Sequence, residues 1–366
     1  MEPCRIMLMS GYLGSGKTTS MTSLAKYLTD QGRKVCLITN DLGSNLVDTA
    51  YVAESGIPVL EISNGCLCHD VPQLLEKIDR HVAESGAEFV IFEPVGSCVD
   101  MVDHVYRDIA ANHREGYTLA PVSAIVDPRR FRSVYLEGKM GENIGETAVA
   151  YGFQKQLEEA DLLLLNKIDL YSDEEIAEIH AGIEKYFPGV PVIEISGLRG
   201  YHMDQWADYV LHHTSTLRPL EIDMELIMKG CEDMGWYNKV STIEALQPVN
   251  MREVLEEYLH AVQSVFQASG REILHAKVHL DQGGRFVKSA LTSTSGEVNS
   301  VGNLTQFSGK GTLNVNIRAL MLPKELEDVM ESQLEQILAA HDMTIAENAL
   351  QSFLPVDDPP APRAKY

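Results

Sequence analysis

The sequence is short of positive charge. Its 366 residues carry 30 Lys and Arg against 53 Asp and Glu, a formal net charge of −23. Phosphate backbones repel such a chain, which argues against a general nucleic-acid binder while leaving room for a local basic patch. Solubility alone accounts for the acidity. Long apolar runs are missing as well: none approaches the roughly 18 uninterrupted residues of a membrane span. The N-terminus has no basic region followed by an apolar segment and a cleavage site, so a cytoplasmic location is expected. Cysteine is scarce. The six present are too unevenly spaced for a disulfide framework. Two of them form a Cys-x-Cys pair, which in a reducing compartment suggests metal or redox chemistry before a bridge.

Strand-like apolar runs alternate with helical patterns over the first 218 residues. Val35 to Thr39, Glu88 to Phe92, Leu119 to Val126, Asp161 to Leu165 and Val190 to Ile195 read as strands. Several are apolar at consecutive positions, as in a parallel sheet covered on both faces. Helical segments such as Pro72 to Glu84, Thr147 to Ala160, Asp173 to Phe187 and Met203 to Leu211 lie between them. This β/α alternation predicts a doubly wound α/β domain. From residue 219 the order becomes β-α-β-β-β-α. Asn238 to Leu246 opens it, a hairpin turns around Asp281-Gln-Gly-Gly284, and the helix Lys324 to Ala340 closes it. A smaller α+β domain over 219–345 follows, with a disordered tail expected over 346–366.

Gly11 to Thr18 spells a complete G-x-x-x-x-G-K-T phosphate loop between an apolar strand (Arg5 to Ser10) and a helical pattern beginning at Thr19. The loop's Gly11, Gly14, Ser15 and Gly16 let backbone N–H groups turn toward phosphate. Lys17 can reach the β- and γ-phosphates, the Thr18 hydroxyl can ligate Mg²⁺, and Thr18 and Thr19 open a helix whose positive end faces the same anion. The fold is therefore read as a P-loop NTPase, and a chance match is disfavoured by the strand–loop–helix context.

A second motif selects the base. Asn166-Lys-Ile-Asp169 follows the strand ending at Leu165. The Asp169 carboxylate can accept from the N1–H and N2–H₂ edge of guanine, whereas adenine would leave it facing a lone pair, at a cost of about 1–3 kcal/mol or more. The Lys167 stem can cover the base plane, and Asn166 can tie this loop to the phosphate loop. Ser196-Gly-Leu-Arg-Gly200 resembles the loop that caps guanine O6 in GTPases, with Gly197 in place of the usual alanine. Magnesium and the attacking water need acids. Glu93 ends a strand before Pro94-Val95-Gly96, where it can act on Mg²⁺ through water or on the attacking water. Asp41 is a candidate switch residue that joins the Mg²⁺ shell with GTP bound, or equally an Asx-type turn or cap. Asp48 is a weaker candidate.

Asn64-Gly-Cys-Leu-Cys-His69 places the Cys66 and Cys68 thiols beside the His69 imidazole. This S₂N set suits Zn²⁺ or another thiophilic divalent ion with one position open, which fits a carrier better than a structural site. A pair of buried small residues is the plainer alternative. Cys98 can be counted only as an outside contributor. Cys36 reads as core, and His202, His212 and His213 as solvated.

Taken in order, Gly11 to Thr19, Cys66 to His69, Glu93 to Gly96 and Asn166 to Asp169, with a small α+β domain behind them, resemble the CobW family of GTPases, relatives of UreG and HypB. In that family the counterpart of Cys66-Leu-Cys-His69 is a Cys-x-Cys-Cys metal motif, and Glu93-x-x-Gly96 is the second acidic motif. The resemblance implies a GTP-dependent metallochaperone using GTP, Mg²⁺ and a zinc- or cobalt-like ion, with Lys17, Glu93 and Asp41 as catalytic groups and a client metalloprotein or cofactor enzyme as partner. His69 departs from the third cysteine, and Asn40-Asp41-Leu42-Gly43 from Asn-Glu-Phe-Gly. The alternative is a GTP-driven conformational chaperone or reactivator of a metal- or corrinoid-dependent enzyme. A small-molecule kinase is a third reading that shares the phosphate loop, but kinases of that class rarely carry N-K-x-D. For the C-terminal domain, a packing or homodimer element and a partner-recognition element fit equally.

Overall fold

The computed structural model describes residues 3–40, 56–62, 71–112, 116–139 and 144–355. They divide into two compact units, one reaching Ile227 and the other beginning at Met228. The first contains β1 (Cys4–Ser10), α1 (Lys17–Asp30), β2 (Val35–Asn40), β3 (Val59–Ile62), α2 (Val71–Ser85) and β4 (Phe89–Glu93). A π-helical turn (Val102–Tyr106) then runs into α3 (Arg107–Asn112), followed by β5 (Tyr117–Leu119), β6 (Ser123–Val126), α4 (Pro128–Phe131) and α5 (Ile144–Glu159). β7 (Leu162–Leu165), α6 (Asp173–Tyr186), β8 (Val192–Glu194), α7 (Met203–His212) and α8 (Met224–Glu232) complete the series, α8 straddling the division between the units.

The strands of this unit pair in parallel in the order β3-β2-β4-β1-β6-β7-β8, with β5 also beside β1. The consecutive apolar residues of each strand explain the two layers of helix. Ile6, Leu8, Val90 and Phe92 share one core with Leu74, Leu75 and Ile78 of α2 and Tyr106. Met7, Met9, Phe89 and Ile91 share another with Met21 and Leu24 of α1 and Trp206 and Val210 of α7. Strand order reverses between β1 and β6, and in such sheets ligands lie beyond the carboxyl ends of the strands at the reversal.

The single strand expected over Leu119 to Val126 is two strands, broken at Ala120-Pro121-Val122. Pro121 has no N–H to give to a ladder. The gap is filled by the buried Tyr106 hydroxyl, which accepts from the Leu8 N–H at 2.6 Å and lies 3.0 Å from the Ile6 and Ala120 carbonyl oxygens.

The second unit comprises β9 (Met234–Val249), α9 (Met251–Ser269), β10 (Ile273–Gln282), β11 (Arg285–Leu291), β12 (Asn299–Gly302), β13 (Phe307–Leu320), α10 (Pro323–Ala340) and β14 (Met343–Phe353). Its sheet is antiparallel, in the order β12-β11-β10-β13-β9-β14. Ile243, Val278, Val315 and Ile317 pack in one core with Tyr258 and Phe266 of α9 and Leu334 of α10. Gly283 and Gly284 take φ of +61° and +84°, which makes the two-residue turn between β10 and β11 cheap. Residues 346–353, expected to begin a disordered tail, instead finish β14 alongside β9. A bulge between Glu347 and Ala349 shifts the register and hides the strand alternation from a reading of sequence.

Candidate nucleotide site

The segment joining β1 to α1 turns on glycine. Gly11, Gly14 and Gly16 have φ of +138°, +81° and +97°. These are left-handed conformations that side chains resist. Space is denied too: a Cβ on Gly11 would stand 2.9 Å from the Ile125 carbonyl oxygen, and one on Gly16 would stand 2.6 Å from Asn166 Nδ2. Gly16 is the N-cap of α1 and has no side chain to accept from the first-turn N–H groups. Those amides and the helix dipole thus make an anion cradle. Lys17 Nζ folds back to donate to the Gly11 carbonyl at 2.6 Å. It also lies 4.0 Å from Glu93 Oε1 at the end of β4. The same Glu93 oxygen accepts from Thr18 Oγ1 at 3.1 Å. A hydroxyl and a carboxylate in contact at a phosphate cradle are a hard oxygen set of the kind Mg²⁺ takes, so Thr18 and Glu93 fit that ion.

The second motif meets the first. Asn166, buried at the end of β7, donates from Nδ2 to the Ser15 carbonyl at 2.9 Å and accepts at Oδ1 from the Gly197 N–H at 2.9 Å. Lys167 is held at φ +64°, and its ammonium donates to the Gly14 carbonyl at 2.8 Å and to Asp127 Oδ2 at 2.5 Å. Asp169 Oδ1 accepts from Ser196 Oγ at 2.6 Å, while Arg199 Nε lies 3.7 Å from Asp169 Oδ2. Phosphate loop, N-K-x-D segment and Ser196 loop therefore form one continuous rim. Thr19 sits in the first turn of α1, half-buried.

Three contributors escape a sequence reading. Asp127 follows β6 and caps α4 by accepting from the Arg130 N–H. Burial works to raise its pKa, but the adjoining Lys167 ammonium and the hydrogen bonds from Lys167 and Arg130 outweigh burial and hold the carboxyl below its ordinary range. Arg199 faces Asp169. Gln156 of α5 reaches the segment after Glu93. The glycine at 197 has a cause in packing: a Cβ there would stand 2.2 Å from Ser20 Oγ and 2.9 Å from Ser20 Cα. The Gly197 carbonyl in turn accepts from Ser23 Oγ at 2.5 Å, so α1 lies directly against this loop.

Asp41, Asp48, Cys66, Cys68 and His69 lie outside the described residues. Among the described residues no cluster of three or more His, Cys, Asp or Glu is placed to hold a metal. Cys98 is half-buried, and Cys36 is buried within β2, where burial pushes its thiol to about 12. His202, His212 and His213 are exposed. No described helix is long and apolar enough to cross a membrane.

A loop turned on left-handed glycines into a helix N-terminus, at the reversal of a parallel sheet, has a well-defined use: it takes the phosphates of a nucleotide. The first unit is of the P-loop nucleotide-binding class. Its family is settled by sequence, for a family model described as "CobW/HypB/UreG, nucleotide-binding domain" matches residues 5–194, and the chain belongs to that family. Similar curated proteins include the zinc-regulated GTPase metalloprotein activator 1 of Dictyostelium discoideum, 24% identical over 213 residues, covering 51% of this chain and 44% of that protein. The zinc chaperone YeiR of Escherichia coli is 28% identical over 172 residues, covering 45% of this chain and 47% of that protein. The chain thus spans about half the length of the curated relatives it matches. Among solved structures, Zn(II)-bound YjiA GTPase from E. coli is 17% identical with a TM-score of 0.36, covering 93% of this chain and 99% of that one. HypB from Helicobacter pylori in complex with nickel is 18% identical with a TM-score of 0.39, covering 57% and 86%.

Proposed function

We propose that this chain is a Mg²⁺-dependent GTPase that couples its nucleotide state to binding and delivery of a transition metal, zinc or a cobalt-like ion, to a client metalloprotein. The observation that carries the guanine reading is the rim around Asn166 and Asp169. Asn166 bonds to the Ser15 carbonyl of the phosphate loop, and Asp169, three positions on, is steadied by Ser196. A carboxylate fixed at that span from the phosphate cradle suits the donor edge of guanine and penalises adenine.

Lys17 would neutralise the β- and γ-phosphates. Thr18 and Glu93, joined by Asp41 in the triphosphate state, would hold Mg²⁺, which supplies charge neutralisation at the transferring phosphoryl group. Cys66, Cys68 and His69 are the proposed ligands of the transported ion, a set whose softness suits zinc. The names of the relatives, zinc chaperones and a zinc-regulated metalloprotein activator, support the cargo.

Coupling of this kind is reciprocal: if GTP changes metal affinity by some factor, the metal changes GTP affinity by the same factor. Titrating a non-hydrolysable GTP analogue into the full chain with and without Zn²⁺ tests this. The expected result is a shift of about 5- to 150-fold in nucleotide affinity, abolished by Cys66→Ser. Identical affinities in the two titrations would refute the coupling, and equal affinity for GTP and ATP would refute the base assignment.

A further inference from the structure

The last turn of α5 grips the segment that follows Glu93. Gln156 is 1% exposed. Its amide nitrogen donates to two backbone carbonyls, of Gly96 at 3.1 Å and of Cys98 at 2.8 Å. Glu159, three residues later and fully buried, accepts at Oε1 from the Val102 N–H at 2.5 Å, where the π-helical turn begins. Two side chains on one helix face thus fix three backbone points between Gly96 and Val102. The near end of this segment abuts the phosphate site. A Cβ on Gly96 would stand 2.7 Å from Leu13 Cδ2 and 3.0 Å from Lys17 Nζ. Gly96 is therefore pressed against the lysine assigned to the terminal phosphate, and Gln156 holds it there from behind.

We propose that Gln156 is a positioning residue for GTP hydrolysis, setting the Gly96 backbone against Lys17 and the γ-phosphate, with Glu159 anchoring the far end of the same segment. The proposal rests on the GTPase reading above. In the reaction it serves, water adds to the γ-phosphorus, the bond to the β–γ bridging oxygen breaks, GDP leaves with the electron pair, and the water proton ends on phosphate. Gln156 touches none of these atoms. It acts through the loop, and loop misplacement of about 1 Å costs roughly 100-fold in rate. The hydrogen bonds that Gln156 donates go to Gly96 and Cys98 and not to Asn166, Asp169 or the Gly11–Gly16 loop, so diphosphate and base binding are expected to change little when it is lost.

The test uses the full chain with Mg²⁺, measuring single-turnover GTP hydrolysis and GDP affinity in the same preparations. Gln156→Ala is expected to lower the hydrolysis rate by roughly 100-fold, with GDP affinity and the GTP KM within about threefold of wild type. Gln156→Glu separates positioning from bulk. An ionised carboxylate would face two carbonyl oxygens and repel them, whereas a protonated one can donate to one of them. Its rate is expected to be low at pH 8 and to recover in part as the pH falls, a profile that neither wild type nor Gln156→Ala shows. An unchanged rate in Gln156→Ala overturns the proposal. So does a loss of GDP binding in step with the rate, which would make Gln156 merely structural. Wild type that binds GTP and never releases phosphate would overturn the GTPase reading and this inference together, and is distinguished because it is seen before any substitution.

Discussion

At the scale of single residues, the site is defined by atoms it cannot accommodate. Gly197 is the clearest case. GTPases usually place alanine at this position, but here Ser20 of α1 stands where a methyl group would go. Gly197→Ala is expected to cost about 1–3 kcal/mol by overpacking, measured by thermal denaturation without nucleotide. Adding Ser20→Gly should return part of that loss, because it removes the hydroxyl and Cβ that the new methyl meets. Additive losses in the double variant would count against the packing explanation. Asp127 shows the opposite device, a buried charge retained because Lys167 answers it at 2.5 Å. Removing one partner of such a pair is more damaging than removing both.

At the scale of elements, α5 ends on a carboxyl group in an unfavourable place. Burial first, and then the nearby acids Asp100, Asp103 and Asp161, push Glu159 up to about 8 despite the Val102 N–H that favours its charge. Its folded pKa thus exceeds the ordinary glutamate value near 4.5. Between those limits the folded chain holds a proton that the unfolded chain has lost, so stability declines as pH rises, by at most roughly 1.4 kcal/mol per pH unit from this group. Glu159→Gln keeps the acceptor for Val102 but cannot ionise. It is expected to match wild type near pH 4.5 and exceed it increasingly toward pH 8 in denaturant midpoints. Parallel curves for the two proteins would dismiss Glu159 as the source.

The same elements show what was legible in the sequence. The phosphate loop could be read because its determinants, the strand, the glycines, Lys17 and Thr18, are contiguous. The N-K-x-D segment could be read because it closes an apolar strand. Asp127, Gln156 and Arg199 could not, since each acts on a partner 30 to 60 residues away: Asp127 and Gln156 are 40 and 60 residues from the groups they hold, and Arg199 is 30 from Asp169. Strand limits failed where side chains intervene, at Pro121 with its Tyr106 plug and in β14 with its bulge. Helix α8 went unread, being short and set in the stretch between the two sequence patterns.

At the scale of the whole molecule, the two units have separate hydrophobic cores, and the rim described above lies in the first. Mg²⁺-GDP at a hundred times its Kd should stabilise the first unit by about 2.7 kcal/mol. Scanning calorimetry is expected to resolve two transitions, with only the one belonging to residues through Ile227 moving fully with nucleotide. A single transition that shifts as a whole would mean the units melt as one cooperative body.

The amide of Asn166 spans two loops that sit more than 150 residues apart along the chain, giving a hydrogen to one and taking a hydrogen from the other. On the GTPase reading, a purine and its phosphate tail would be grasped by a single clasp. Spent nucleotide is then expected to depart in a single kinetic step, since loosening one loop loosens the other through their shared side chain.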